Sequence, residues 1–250
     1  MEAQMRRAIT PRHATRSGRI VYRLLPEAAA FDVFPDGVWG FEDFTLTRHG
    51  DGGRVLRARC ELHDEPLVIR DVVQAVDGAF HPHDVFVRLT IGDKFFGSSW
   101  YRFTDSEAEL EGWTALKGRI REHRWIARDM RGFGTHALMA DAWLCARFDY
   151  ARGAGRQTFR DNLLTSLDHR GATGPEFTVT TTSTLRYDGV ETITVPAGTF
   201  ACHHLAFEAT SNNHPPYDLW VSADGDFLFV KGVVTAPYHW TFELTALAEG

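Results

Sequence analysis

Short runs rich in β-branched and aromatic residues, broken at roughly 8–12-residue intervals by turn-forming pairs, restrict this chain to antiparallel sheet. Asp77-Gly78, Gly92-Asp93 and Asp224-Gly225 are such pairs. Their residues tolerate positive φ or bond their own backbone, which suits the tight turns that join antiparallel neighbours. Runs at 38–48, 54–63, 66–76, 84–91, 95–104 and 107–114 predict one meander. Runs at 176–187, 190–195, 199–210, 217–223, 226–234 and 238–247 predict a second, with Asp188-Gly189 as a further hairpin turn.

Between the two sets, Thr135 is placed to cap a helix over 135–149, whose apolar residues go most of the way round and call for cover on several sides. The expected fold is therefore all-β: two antiparallel halves, 38–114 and 176–248, with one central helix. They curl into a lipocalin-like barrel or two packed half-barrels. Half-barrels of this size would be marginal alone, so 1–250 reads as one domain, with Arg152–Arg156 the best candidate for a linker.

Charge and composition exclude several classes of function. Lys and Arg total 27 against 33 Asp and Glu, so the chain carries a net charge of -6 and no footprint for nucleic acid. The basic stretch of Arg119, Arg121, Arg124, Arg128 and Arg131 is interrupted by Glu122 and Asp129 and reads as a solvated segment. No apolar run is long enough for a secretory signal at the N-terminus or for a membrane span later, so a cytoplasmic protein with no membrane partner is expected. Cys60, Cys145 and Cys202 lack CxxC spacing and suit reduced, buried thiols.

The segment Gly189-Val190-Glu191-Thr192-Ile193-Thr194-Val195-Pro196-Ala197-Gly198-Thr199-Phe200, followed by Asp218-Leu219-Trp220-Val221, resembles a bacterial all-β family known as domain of unknown function 3108. The resemblance covers the C-terminal third. It implies a curled, lipocalin-like antiparallel sheet and names no catalytic residue.

Candidate chemistry comes from strand pairing. A two-residue turn at Asp224-Gly225 would set Trp220 opposite Phe229 and Asp218 opposite Lys231, all on one surface. A carboxylate and an ammonium beside two aromatic rings are poorly solvated, and such surroundings make general acids and bases; an ordinary surface ion pair is the competing reading. His214, in the polar loop Asn212–Tyr217, has the right intrinsic pKa for proton transfer. Asp218 or His214 is the expected base, with Lys231, Tyr101 or Tyr238 steadying a developing oxyanion. Trp100, Trp143, Tyr217, Trp220, Phe229, Tyr238 and an inward Arg70 are the expected substrate contacts.

His81-Pro82-His83 lacks a third ligand at nearby spacing, and His203 and His204 diverge, so no metal is expected. Without G-x-G-x-x-G, a P-loop or G-x-S-x-G, no nucleotide cofactor or serine nucleophile is expected either. The sequence thus leads to a cofactor-independent lyase or isomerase that moves protons on a small aromatic or isoprenoid molecule. A non-catalytic carrier of a hydrophobic ligand is the alternative.

Overall fold

A computed structural model describes residues 13–28, 30–127, 130–210, 214–235 and 237–250. Fourteen strands form one antiparallel sheet: β1 His13–Leu24, β2 Val38–His49, β3 Arg54–Leu62, β4 Val68–Val76, β5 Pro82–Ile91, β6 Lys94–Phe103, β7 Glu107–Thr114, β8 Gly118–Trp125, β9 Gly155–Leu164, β10 Thr178–Val195, β11 Gly198–Thr210, β12 Tyr217–Ser222, β13 Phe229–Val234 and β14 Trp240–Glu249. Their order is β8-β7-β6-β5-β4-β3-β2-β1-β14-β13-β12-β11-β10-β9. The chain meanders outward from β1 to one edge, crosses through 126–154, and meanders back inward to β14, which pairs with β1. The sheet curls without closing. At its seam a parallel bridge, Gly134 to Leu164, ties the crossover to the end of β9.

Period-two alternation decides which face is covered. In β4, Val68, Arg70, Val72, Gln74 and Val76 are buried, while Ile69, Asp71, Val73 and Ala75 look outward. The concave side is filled by the crossover, whose helix α1, Leu138–Leu144, buries Met139, Ala140, Ala142 and Trp143. A 3-10 turn, Cys145–Arg147, follows directly. The interior of the curl is mostly packed side chain.

Several expectations are corrected. The helix starts later than Thr135 because His136 takes a left-handed backbone (φ 63), and its cap comes from another element. Asp188-Gly189 makes no turn; β10 runs straight through it on a bulge. The Asp224-Gly225 turn is wider than two residues, since Asp224 accepts from the Asp226 amide and Ser222 Oγ, while Asp226 is drawn inward to Arg54 at 3.2 Å. Register shifts accordingly: Val221 faces Phe229, Trp220 faces Lys231, and Asp218 faces Val233. Of the supposed linker, Arg152 ends a 3-10 turn, Tyr150–Arg152, and Gly155 and Arg156 open β9; Arg119, Arg121 and Arg124 of the basic stretch lie in edge strand β8, where no residue is buried. Arg128, Asp129, Asn212, Asn213 and the N-terminal residues 1–12 lie outside the described residues.

Candidate functional site

Three neighbouring strands prepare the ground for the site. Glu42, Cys60 and Arg70 stand side by side across β2, β3 and β4 on the buried face. The Glu42 carboxylate accepts from the Leu138 amide at 2.6 Å and the Met139 amide at 3.1 Å, so a strand residue caps α1. Tyr22 Oη and Cys60 Sγ donate to the same group at 3.2 and 3.4 Å. Burial pushes the Glu42 carboxyl up, against the pull of the two amides, Cys60 and the Arg70 charge. Arg70 donates to the carbonyls of His136 and Arg170, which holds the start of the helix against the loop 166–175. That approach needs glycine at 171, where a Cβ would lie 2.5 Å from Arg70 Nη1 and 2.9 Å from His136.

The frame leaves a hollow of about 150 Å³ between α1 and strands β9 to β12. Leu138, Leu144, Leu163, Leu164 and Phe207 give it apolar walls. Its titratable groups come from six directions: His136 and His169 from the crossover and the loop after β9, Asp141 from α1, Arg147 from the 3-10 turn, His214 from the loop before β12, and Tyr217 from β12. His136 Nε2 and His214 Nε2 lie 2.9 Å apart and share a hydrogen, and His136 Nδ1 is 3.2 Å from Thr165 Oγ1. Tyr217 Oη donates to Asp141 Oδ2 at 2.8 Å.

Burial sets the ionisation of these groups. It raises the Asp141 carboxyl to about 7, with the Tyr217 hydrogen bond opposing. It lowers His214 to about 4 and holds His136 well below the ordinary imidazole range, in each case reinforced by a neighbouring imidazole. At neutral pH the imidazole pair is therefore uncharged, and Asp141 is divided between acid and carboxylate. Such a group gives or takes a proton with little driving force either way.

A stability signature follows. Between pH 4 and 7 folded Asp141 keeps a proton that the unfolded chain releases, so this contribution is full below about pH 4 and lost as pH rises to 7. His214 acts oppositely, losing stability as pH falls from 6.5 to about 4. Asp141→Asn removes only the first effect. We expect the variant to gain about 4 kcal/mol over the wild type at pH 8 and little at pH 4, read by urea denaturation at both values. Equal differences at the two values would contradict the raised carboxyl.

Of the residues singled out in the sequence, His214 and Tyr217 meet in this hollow. The others do not line it. Asp218 is on the outer face with His204 Nε2 and Arg186 Nη2, each at 3.1 Å, and Lys231 is outside beside Glu243 at 3.4 Å, because residues 217, 219 and 221 take the inward positions of β12. Trp220 stacks outside on His204, and Trp100 is 48% exposed beneath Arg102. Tyr101 is core: its hydroxyl donates to the Glu176 carbonyl at 3.2 Å and its ring packs on Phe133 and Phe177. Trp143 and Phe229 are likewise fully buried. Tyr238 stacks on Trp240 beside His169, at the rim. Arg70 points inward as expected but serves backbone carbonyls.

No spacing in the sequence marks His136, Asp141, Arg147 or His169; the curl of the sheet gathers them. Asp188, His204 and Asp218 also come together on the outer face with the spacing of metal ligands, but Arg186 already spans Asp188 at 2.9 Å and Asp218. All three cysteines are buried and free.

No family model and no curated protein matches the chain. Among solved structures, it is similar to a beta-barrel-like protein of domain of unknown function DUF1849 from Brucella abortus. That similarity covers 96% of this chain and 99% of the other at 7% identity, with a TM-score of 0.54. The shared property is the fold. Among the described residues, no helix is long and apolar enough to cross a membrane.

Proposed function

We propose that the hollow binds a one-ring molecule and that Asp141 and the His136–His214 pair move protons on it, as in a cofactor-independent lyase or isomerase. The observation that supports this most is a carboxyl with a pKa of about 7 at the wall of a hollow that two imidazoles kept neutral also line. In this reading ionised Asp141 takes the proton, the imidazole pair accepts or returns it, and Tyr217 orients the carboxyl through its 2.8 Å hydrogen bond. An apolar cavity of about 150 Å³ is the size that holds benzene, which favours single aromatic rings over extended isoprenoids. The free, buried thiols suit a reducing compartment, so we assign the reaction to the cytoplasm. Kinship with domain of unknown function 3108 belongs to the same reading and rests on the hairpin residues 189–200 and 218–221.

A carrier without chemistry is the second reading. It is favoured by the mutual hydrogen bond of His136 and His214, which occupies a nitrogen of each ring. One experiment separates the two. Single-ring compounds are screened by thermal shift, where a ligand at 100 times its Kd adds about 2.7 kcal/mol, and the hits are followed for turnover. Asp141→Asn is expected to lower turnover by about 10²–10⁴ while binding persists. Unchanged turnover would overturn the role of Asp141; binding without any turnover would leave the carrier.

A further inference from the structure

Among the described residues, Arg147 is the one fixed cation that lines the hollow, and its surroundings are unusual for a guanidinium. Its Nη1 donates to Asn162 Oδ1 and its Nη2 to Ser183 Oγ at 3.4 Å, while its plane sits 4.2 Å from the centre of the Phe159 ring. The Nε atom is buried with no hydrogen-bond partner, and among the described residues no carboxylate forms an ion pair with it. Burial lowers it only to about 10, so it stays charged at neutral pH. A sheltered cation without an anion is costly, and proteins meet that cost with a counter-ion.

The position of Arg147 says where that anion comes from. Beyond it opens a second, larger cleft of about 1150 Å³ between the free edges of β8 and β9. Arg147, Asn162 and Leu163 line both spaces, so they form the partition between cleft and hollow. Arg131 and Arg160 also line the cleft, with Asp149 and Asp161, and neither arginine forms an ion pair among the described residues. An anion arriving from outside therefore meets Arg131 and Arg160 before Arg147, in a chain whose net charge is -6. On the far side of Arg147 lie the apolar walls, Leu144, Leu163 and Phe207.

We propose that the hollow takes its ligand as an anion, a one-ring carboxylic acid whose carboxylate docks on Arg147 while the ring lies among the leucines. This rests on the reading of the hollow as a binding site and adds to it the charge class of the ligand. A guanidinium presents parallel N–H donors that match a carboxylate, and its free Nε–H supplies one of them. Ser183, the weaker of its present partners at 3.4 Å, is the one to give way.

The test uses two probes of the same shape, benzoate and neutral benzamide, titrated into the full chain near neutral pH by calorimetry. Benzoate is expected to bind at least about tenfold more tightly, and Arg147→Met to abolish that preference while benzamide binding is kept. Should Arg147→Met fail to fold, the Nε–H resonance of Arg147 in the wild type gives the answer: it should move with benzoate and not with benzamide. Equal binding of the two probes, or a preference for benzamide, would overturn the anionic ligand and leave the hollow standing as a binding site. If neither probe binds, the reading of the hollow falls and this inference with it.

Discussion

Replacing Glu42 by alanine is expected to lower folding stability by about 3–5 kcal/mol, far more than an exposed carboxylate would cost. Glu42 is fully buried and holds four donors at once: the Leu138 and Met139 amides, Tyr22 Oη and Cys60 Sγ. Truncation leaves those donors without an acceptor in a dry interior and strips the nearby Arg70 of the negative charge that faces it. The start of α1, which carries Asp141 into the hollow, loses its cap. Glu42→Gln should cost less, about 1–3 kcal/mol, because a carbonyl oxygen still serves one amide while the new NH₂ opposes the others. Urea denaturation of both variants checks this. A loss below about 1 kcal/mol for the alanine variant would mean the helix needs no strand-borne cap.

The second large effect concerns Trp143, which the sequence suggests as an indole stacked on a ligand. In the fold it is fully buried, its Nε1 donates to the Asp226 carbonyl at 3.2 Å, and Phe80 meets it edge-on with ring centres 5.9 Å apart. Trp143→Ala is therefore expected to cost about 3–5 kcal/mol, the range for removing a buried aromatic side chain. Trp143→Phe should recover more than half of that, since it restores most of the volume and forgoes the hydrogen bond. Thermal and urea melts give the values. A ligand-stacking role would show the reverse pattern: near-wild-type stability in both variants and impaired binding.

The strands were largely legible because their signals are local. Alternation along Val68–Val76 and turn pairs such as Gly92-Asp93, where both residues do adopt positive φ, need nothing from the rest of the chain. The sequence shows no signal for β1, β8 or β9: the two edge strands are polar on both sides, Arg119, Arg121 and Arg124 hide β8 in a charge pattern, and Arg16, Arg19 and Arg23 do the same in β1. The register after Asp224-Gly225 failed for a tertiary reason. Asp226 is held by Arg54, 172 positions away in sequence, and that ion pair widens the turn and displaces Asp218 from Lys231.

The site was legible only at His214 and Tyr217, whose loop and strand lie close together. Asp141 and Arg147 sit in what reads as a core helix, where a charged residue signals either a solvent-facing side or a paired group. They come together only when the crossover between the two edges sets α1 across the hollow from β10 to β12. Cavities gathered from segments far apart in sequence leave no spacing motif.

The NMR titration of the Asp141 carboxyl carbon, assigned by comparison with Asp141→Asn, bears most directly on the central claim that the hollow holds a proton-exchanging group poised at neutral pH. An inflection near pH 7 is expected, with the His136 and His214 rings remaining neutral throughout that range. An inflection near the ordinary carboxyl value of 3.8 would contradict the claim, because a hydrated, permanently ionised Asp141 could not share a proton with a ligand at neutral pH.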